Sequence, residues 1–373
     1  MSSTPATVVR AATVLTPSGP LSPGEVVCDR GLIVEVGPAR GPVEHEILAA
    51  GFIDLQMNGI GEIDVAKAVG AEWDALDAAL LAQGVTTWCP TLCSAPVPSM
   101  EASLSRMAEA AGRSPENRPT MAGAHLEGPF LAVAGAHPES FLQGQVDRDW
   151  LVSLAGVAVV TLAPELPGAL EAIEALVAAG VLVAIGHSGC DIERVGEAAR
   201  AGARLVTHLG NAMGPFRPRQ PGILGGALSD DRLAVSLIGD LVHVHPALLR
   251  IAFKAKGAER TVLVTDAVAT GAGSGITSGV TVPTDGGPPR MADGTLVGSV
   301  LTMDRAVRNT VRVAGIGLGE AVAAASRTPA ALLGLEDRGV IAPGRRADLV
   351  ALDAELAAEK VWIGGTVAFT RKN

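Results

Sequence analysis

The chain has 373 residues, 48% of them apolar and 18% charged, with a formal net charge of −10. This is too apolar for a disordered chain, and the length allows a large core in one big domain or a few smaller ones. Aromatics are only 3%, with no Tyr, and the acidic balance argues against a nucleic-acid partner held by stacking and phosphate contacts. The longest mostly apolar run, Leu151–Ala163, contains Ser153 and Thr161 and falls short of the ~18–20 residues of a membrane span. No charged start followed by an apolar leader is present, so a cytoplasmic location without a membrane is expected. Cys28, Cys89, Cys93 and Cys190 are too few for a disulfide framework in so long a chain. Cys89 and Cys93 are expected to pack at a strand end rather than to bind metal.

In chain order, the first residues read as short strands, Ala6–Val9, Glu25–Val27 and Leu32–Val36, separated by Pro-Ser-Gly and Ser-Pro-Gly turns. Eight β-type apolar runs follow: Gly51–Asn58, Gly84–Pro90, Met121–Glu127, Val157–Ala163, Val181–His187, Arg204–His208, Leu233–Asp240 and Thr261–Asp266. Helical patterns separate most of them, at Trp73–Gln83, Met100–Ala111, Ala169–Ala179, Asp191–Ala201 and Pro246–Lys256. A unit of about 20–40 residues fits a (β/α)8 barrel of the TIM type. An open doubly wound sheet fits less well, because no GxGxxG follows the first strand. Residues 271–298 break the rhythm as a Gly-rich loop with a hairpin, before helices at about Thr302–Ala314 and Leu318–Arg327. The end resembles the beginning: Asp348–Leu352, Lys360–Ile363 and Val367–Thr370 read as strands, with Gly364-Gly365 as a hairpin turn. The expected architecture is therefore α/β, with a TIM-like barrel over 51–334. A small β-sandwich domain is expected from 1–50 and 335–373 together.

Six of the seven histidines lie between positions 125 and 245. Polar residues at the C-terminal ends of barrel strands converge on one face, the catalytic one. Here those ends carry Gln56 and Asn58, His125 and Glu127, His187, His208, Asp240 and His243, and Asp266. Zn or Fe takes imidazole nitrogen and carboxylate oxygen, and a catalytic site keeps an open position for water. Glu127, His187 and His208 supply that donor set from three strands. Asp266 can then take a proton from the water and pass it to a leaving group. Together these parts describe a metal-assisted hydrolase.

Several motifs sharpen this reading. Ala50-Gly-Phe-Ile-Asp-Leu-Gln-Met-Asn-Gly59, His125-Leu-Glu-Gly-Pro-Phe130, Gly186-His-Ser188, Thr207-His-Leu-Gly-Asn-Ala-Met213, Val264-Thr-Asp-Ala267 and Gly298-Ser-Val-Leu-Thr-Met303 resemble the amidohydrolase superfamily. More narrowly, they resemble its N-acetylglucosamine-6-phosphate deacetylases, over nearly the whole chain. The resemblance implies hydrolysis of the N-acetyl amide of a 6-phosphorylated amino sugar, giving acetate and glucosamine 6-phosphate. It implies Glu127, His187 and His208 as metal ligands, Asp266 as general base and acid, and His137 as the group that polarises the acetyl carbonyl. It further implies that backbone N–H groups of Asn211 and Ala212, with the side chains of Arg219 and His243, meet the phosphate. A homodimer is implied, with part of the phosphate site coming from the neighbouring subunit.

Many superfamily members carry His-x-His on the first strand, where this chain has Gln56-Met57-Asn58. An amide is a poor ligand beside imidazole, so one metal per chain is expected, with Gln56 and Asn58 hydrogen-bonding in the barrel mouth. His125 is expected to support the site without ligating, and His245 to mark a helix start. Departures from the family pattern touch substrate fit: Gly210 replaces an aromatic, Val300 replaces a small hydroxyl residue, and the loop 128–136 is short. The alternative is an amidohydrolase acting on an unphosphorylated acetamido sugar, a deaminase substrate or a cyclic amide.

Overall fold

The computed structural model describes residues 6–270 and 287–372. All eight expected barrel strands form. They are Phe52–Met57, Val85–Cys93, Ala124–Glu127, Val157–Leu162, Leu182–Ile185, Leu205–Val206, Ala234–Ile238 and Thr261–Val264. Each pairs in parallel with the next along the chain. Side chains of these strands are buried on both faces. That explains why the runs read as continuously apolar rather than alternating.

Helices surround the strands, at Glu72–Leu81, Val97–Ala111, Ala169–Ala178, Ile192–Ala201, Gly222–Ser229, Pro246–Lys256 and Met303–Arg312. Two starts follow the sequence signals. Asp191 accepts from Arg194 N, satisfying a free amide of the first turn. Pro246 opens its helix behind His245, whose Nδ1 accepts from Ala247 N, so His245 takes the helix-start role. Among the described residues no helix is long and apolar enough to cross a membrane.

The barrel closes between its eighth and first strands through a short seam. Asp266 N donates to Gln56 O (2.9 Å) and Asn58 N to Ala267 O (2.7 Å). Below these bonds the side chain of Asp54 replaces backbone pairing. Its Oδ1 accepts from Gln56 N and Thr265 N (both 3.2 Å), and its Oδ2 accepts from Thr265 Oγ1 (2.5 Å). The carboxylate is 1% exposed.

Strands from both ends form one further sheet. Thr7–Thr16 pairs antiparallel with Gly24–Asp29 and parallel with His45–Ala50, which pairs with Leu349–Leu352. Ala358–Ile363 and Thr366–Thr370 complete it around the Gly364-Gly365 turn. Val9, Val14, Val26, Ile33, Leu349, Ala351 and Trp362 share its separate core. Within the excursion before Met303, residues 271–286 lie outside the described residues. The Asp293-Gly turn does form a small hairpin, with Arg290 bridged to Leu296.

Burial pushes the Asp54 carboxyl from its ordinary 3.8 up to about 6, against the hydrogen bonds of Thr265 and Gln56. An acid whose pKa is raised on folding stabilises the fold when protonated. That stability is full below about pH 4 and is lost as pH rises through about 6, roughly 3 kcal/mol in all. Asp54→Asn keeps an oxygen for the two backbone amides, and its NH2 can donate to Thr265 Oγ1. Thermal melting of the two proteins should therefore show D54N gaining on the wild type between pH 4 and 7. Asp54→Ala, which orphans three buried donors, should lose several kcal/mol at any pH.

Candidate active site

Six of the strand-end residues meet in one cavity of about 200 Å³. It is lined by Asn58, Cys93, Glu127, His137, His187, His208, Asn211, Ala212, His243 and Asp266, with Thr295–Gly298 along one side. The sharp reversal of the chain at the strand ends places their side chains. His187, His208 and Asp266 have φ of 49°, 31° and 47°, the left-handed region that costs a non-glycine residue about 1 kcal/mol or more. Three such residues in one ring mark a strained site held by its surroundings.

Glu127 is the centre. Its Oε1 lies 2.7 Å from His208 Nε2 and 3.3 Å from His187 Nε2, and the two nitrogens are 3.2 Å apart. All three residues are buried. Burial works against its charge, but the imidazoles of His137, His187 and His208 hold the Glu127 carboxyl well below the usual range. With metal–ligand bonds of ~2.0–2.1 Å, a tetrahedral site has ligand edges of about 3.3–3.4 Å, which these separations approach. His187 Nδ1 donates to Val133 O (2.8 Å), and that leaves the Nε2 lone pair free for a cation. The donor set thus fits one divalent transition metal.

A second cluster, Cys93, Glu127 and His137, does not fit. His137 Nδ1 accepts the backbone N–H of Ser94 (3.2 Å), with Ser94 Oγ at 2.9 Å. A backbone amide can only donate, so Nδ1 is unprotonated and Nε2 carries the hydrogen, directed toward Glu127 Oε2 at 3.5 Å. That nitrogen is a hydrogen-bond donor and has no lone pair for a metal.

Asp266 stands beside the cluster. Its Oδ1 accepts from Asn58 Nδ2 (2.9 Å) and Gln56 Nε2 (3.1 Å), and Gln56 Nε2 also reaches Glu127 Oε1 (3.0 Å). Gln56 and Asn58 therefore hydrogen-bond in the barrel mouth. Burial and the negative charge of Glu127 push the Asp266 carboxyl up to about 7 in the metal-free site, against the opposing pull of His208, His243 and Asn58.

His125 lies within the barrel, outside the cavity lining. Its Nδ1 donates to Leu55 O (2.9 Å), and its Nε2 meets Thr161 Oγ1 (2.8 Å), which reaches Thr207 Oγ1 (2.7 Å). Burial brings it down to about 4, so it is neutral at pH 7.

The phosphate-binding candidates divide. His243 lines the cavity, its Nδ1 held by Asp240 Oδ2 at 2.7 Å. Ala212 also lines it, with φ 49°. The amide of Asn211 is already engaged, donating to His208 O at 3.0 Å, and is not offered to a ligand. Arg219 is outside the cavity. It sits in a run of exposed residues, 215–220, where Arg217 and Gln220 pair through their backbones. Gly210 has φ 92°, and a Cβ there would come within 3.3 Å of Leu248. Leu248 and Leu224 therefore lie nearest the place of the expected aromatic. Val300 is not among the lining residues, whereas Gly298 of the same motif is.

A model of the amidohydrolase family matches residues 47–371. The chain belongs to the amidohydrolase family. Within it, the chain is 36% identical to the N-acetylgalactosamine-6-phosphate deacetylase of Escherichia coli O157:H7, over 97% of this chain and 99% of that one. It is 40% identical to the N-acetylglucosamine-6-phosphate deacetylase of Bos taurus, over 87% and 83%. Among solved structures it is similar to N-acetylglucosamine-6-phosphate deacetylase from Thermotoga maritima, with a TM-score of 0.88 at 30% identity over 98% of this chain and 100% of that one. It is equally similar to a mutant of the Mycobacterium smegmatis enzyme in complex with N-acetyl-D-glucosamine 6-phosphate, at 0.88 and 32% over the same shares. The barrel with its terminal sheet is thus the architecture of this amidohydrolase branch.

Two residues of the site have contacts that the sequence reading did not assign, Cys93 in the cavity lining and Ser94 behind His137. Cys93 ends the second strand and lines the cavity, while Cys89 is fully buried in the strand. The strand runs on to Cys93, past the Gly84–Pro90 read from the sequence, so the strand-end rule stopped short of it. Ser94, which fixes the His137 tautomer, carried no such signal. The tautomers lead to a metal-analysis prediction. The purified protein should carry one ion per chain, His187→Ala and His208→Ala should lose it, and His137→Ala should keep it. A value near two would refute the single-ion assignment.

Proposed function

We propose that this amidohydrolase cleaves the N-acetyl amide of N-acetylglucosamine 6-phosphate to acetate and glucosamine 6-phosphate, in amino-sugar catabolism in the cytoplasm. The carrying observation is the convergence of Glu127, His187 and His208 beside a buried Asp266, in a chain whose relatives are deacetylases of 6-phosphorylated acetamido sugars. Glu127, His187 and His208 would hold one Zn or Fe ion, which when bound activates water and polarises a carbonyl. Asp266 takes the proton of the attacking water and returns it to the amine nitrogen as the C–N bond breaks. Its Oδ1 is engaged by Asn58 and Gln56, so Oδ2 is the oxygen left for that proton. The Nε2–H of His137 meets the acetyl oxygen as negative charge develops there.

The 6-phosphate is assigned to His243 and the amide of Ala212. No Lys or Arg lines the cavity among the described residues, and residues 271–286 contain neither. A phosphate dianion calls for a further cation, and Arg219, exposed and outside its own cavity, is suited to reach the cavity of a partner subunit. We propose a homodimer on this basis, with barrel and terminal-sheet domains meeting at about residues 50 and 335. The galacto epimer is a second reading, because the E. coli relative of that name aligns over nearly all of both chains.

Acetate release should be measured on N-acetylglucosamine and N-acetylgalactosamine, each with and without 6-phosphate. Turnover of the phosphorylated sugars alone is expected, and equal turnover of the free sugars would refute the phosphate reading. Asp266→Asn should keep the metal while kcat falls by about 10²–10⁴-fold. Arg219→Ala should raise KM for the phosphorylated sugar with kcat nearly unchanged. An unchanged KM would remove Arg219 from the site.

A further inference from the structure

Of the four thiols, Cys28, Cys89 and Cys190 are buried, whereas Cys93 is half-buried and lines the active-site cavity. Its Sγ lies 3.2 Å from Asn58 Oδ1 and 3.9 Å from Glu127 Oε2, so its one proton has the Asn58 oxygen as its nearer acceptor. Asn58 in turn donates from Nδ2 to Asp266 Oδ1 at 2.9 Å. The order of donors matters, because a primary amide has an accepting end and a donating end of nearly the same shape. Turned over, Asn58 would set its oxygen against the oxygen of Asp266, and the carboxylate would lose a donor. Something must therefore hold the amide by its oxygen. Asn58 Oδ1 faces the thiol as the nearer acceptor for the S–H, at 3.2 Å, and sulfur would be only a weak acceptor for a turned amide.

We propose that Cys93 is a positioning residue. Its thiol proton fixes the Asn58 amide, and through Asn58 it holds Asp266 with Oδ1 turned away and Oδ2 presented to the reacting water. This rests on the role given to Asp266 in the deacetylase reading. It adds a residue that acts through Asn58 rather than on the reacting atoms. Two hydrogen bonds carry the effect in series, Sγ–H to Asn58 Oδ1, then Nδ2–H to Oδ1 of Asp266, and Gln56 supplies the second donor to the same oxygen. The thiol also lies 3.9 Å from Glu127 Oε2, whereas the candidate metal donors His187 and His208 meet Glu127 at Oε1.

The test uses full-length protein with its metal. Cys93→Val fills the space without a donor, and Cys93→Ser keeps a donor. We expect C93V to lose about tenfold in kcat with KM and metal content unchanged, as a weakened orientation of the reacting group would give. C93S should recover most of that loss. In an Asn58→Ala background C93V should cost nothing more, because the path then no longer exists. The side-chain amide resonances of Asn58, assigned by their loss in N58A, should move in C93V and stay in place in C93S. An unchanged kcat and unmoved amide in C93V overturn the proposal, as do metal loss in C93V or equal defects in C93V and C93S. If the wild type releases no acetate from any phosphorylated sugar, the deacetylase reading fails, and the amide resonances alone decide whether Cys93 orients Asn58.

Discussion

Everything at the mouth of this barrel answers to one buried negative charge. Glu127 is 3% exposed, and a carboxylate taken out of water at that depth must be matched by donors or a cation. The matching groups come from every side: His208 and His187 at Oε1, His137 at Oε2, and Gln56 at Oε1 as well. His137 comes from the loop that follows the strand of Glu127, and the others are distant in sequence. Gln56, His187 and His208 reach Glu127 because parallel strands end together at one rim, so the barrel is the device that makes the charge tolerable. A metal ion held by this ring would complete the neutralisation, so the same donors would serve both folding and ion binding.

The rim is also where the fold departs from relaxed geometry. The left-handed φ of His187, His208 and Asp266 costs stability at each position. It is held by bonds from outside the ring: Ala132 N and Val133 N both donate to His187 O, and Ser299 N donates to Asp266 O. The same loop returns the Val133 carbonyl to His187 Nδ1. Strain and orientation are thus supplied by the same segments, and the short 128–136 loop binds the metal-ligand candidate at both its backbone and its ring.

The barrel was legible because its signal is local and repeated. Eight apolar runs spaced by helical stretches leave few alternatives, and even Asp191 and Pro246 announced their helices. Strand ends then pointed to Glu127, His187, His208 and Asp266. Less was legible wherever one side chain acts on another across the fold. Asp54 reads as one more polar residue in an apolar run, and nothing within its strand says that it closes the barrel against Thr265, more than 200 positions later. Cys93 read as packing, because a thiol's partners cannot be seen from its neighbours in sequence. Arg219 shows the converse. The family resemblance implied a phosphate partner for this loop arginine, but its run of exposed residues lies outside its own cavity, a fact of tertiary arrangement.

Three histidines of this site have the same side chain and different chemistry, and the difference lies at the nitrogen that faces away from the cavity. His187 gives its Nδ1 hydrogen to a carbonyl, so Nε2 has a lone pair to offer. His137 receives an amide hydrogen at Nδ1, so Nε2 must carry a proton and can only donate. His125 gives Nδ1–H to Leu55 O and receives a hydroxyl at Nε2, so both nitrogens are spent and it has nothing left for a ligand. The carbonyls and amides that impose these states belong to Val133, Ser94 and Leu55, none of which would be singled out for its side chain. A histidine count locates such a site, but only the backbone around each ring decides which ring can hold a cation, which can stabilise an oxyanion, and which is part of the wall.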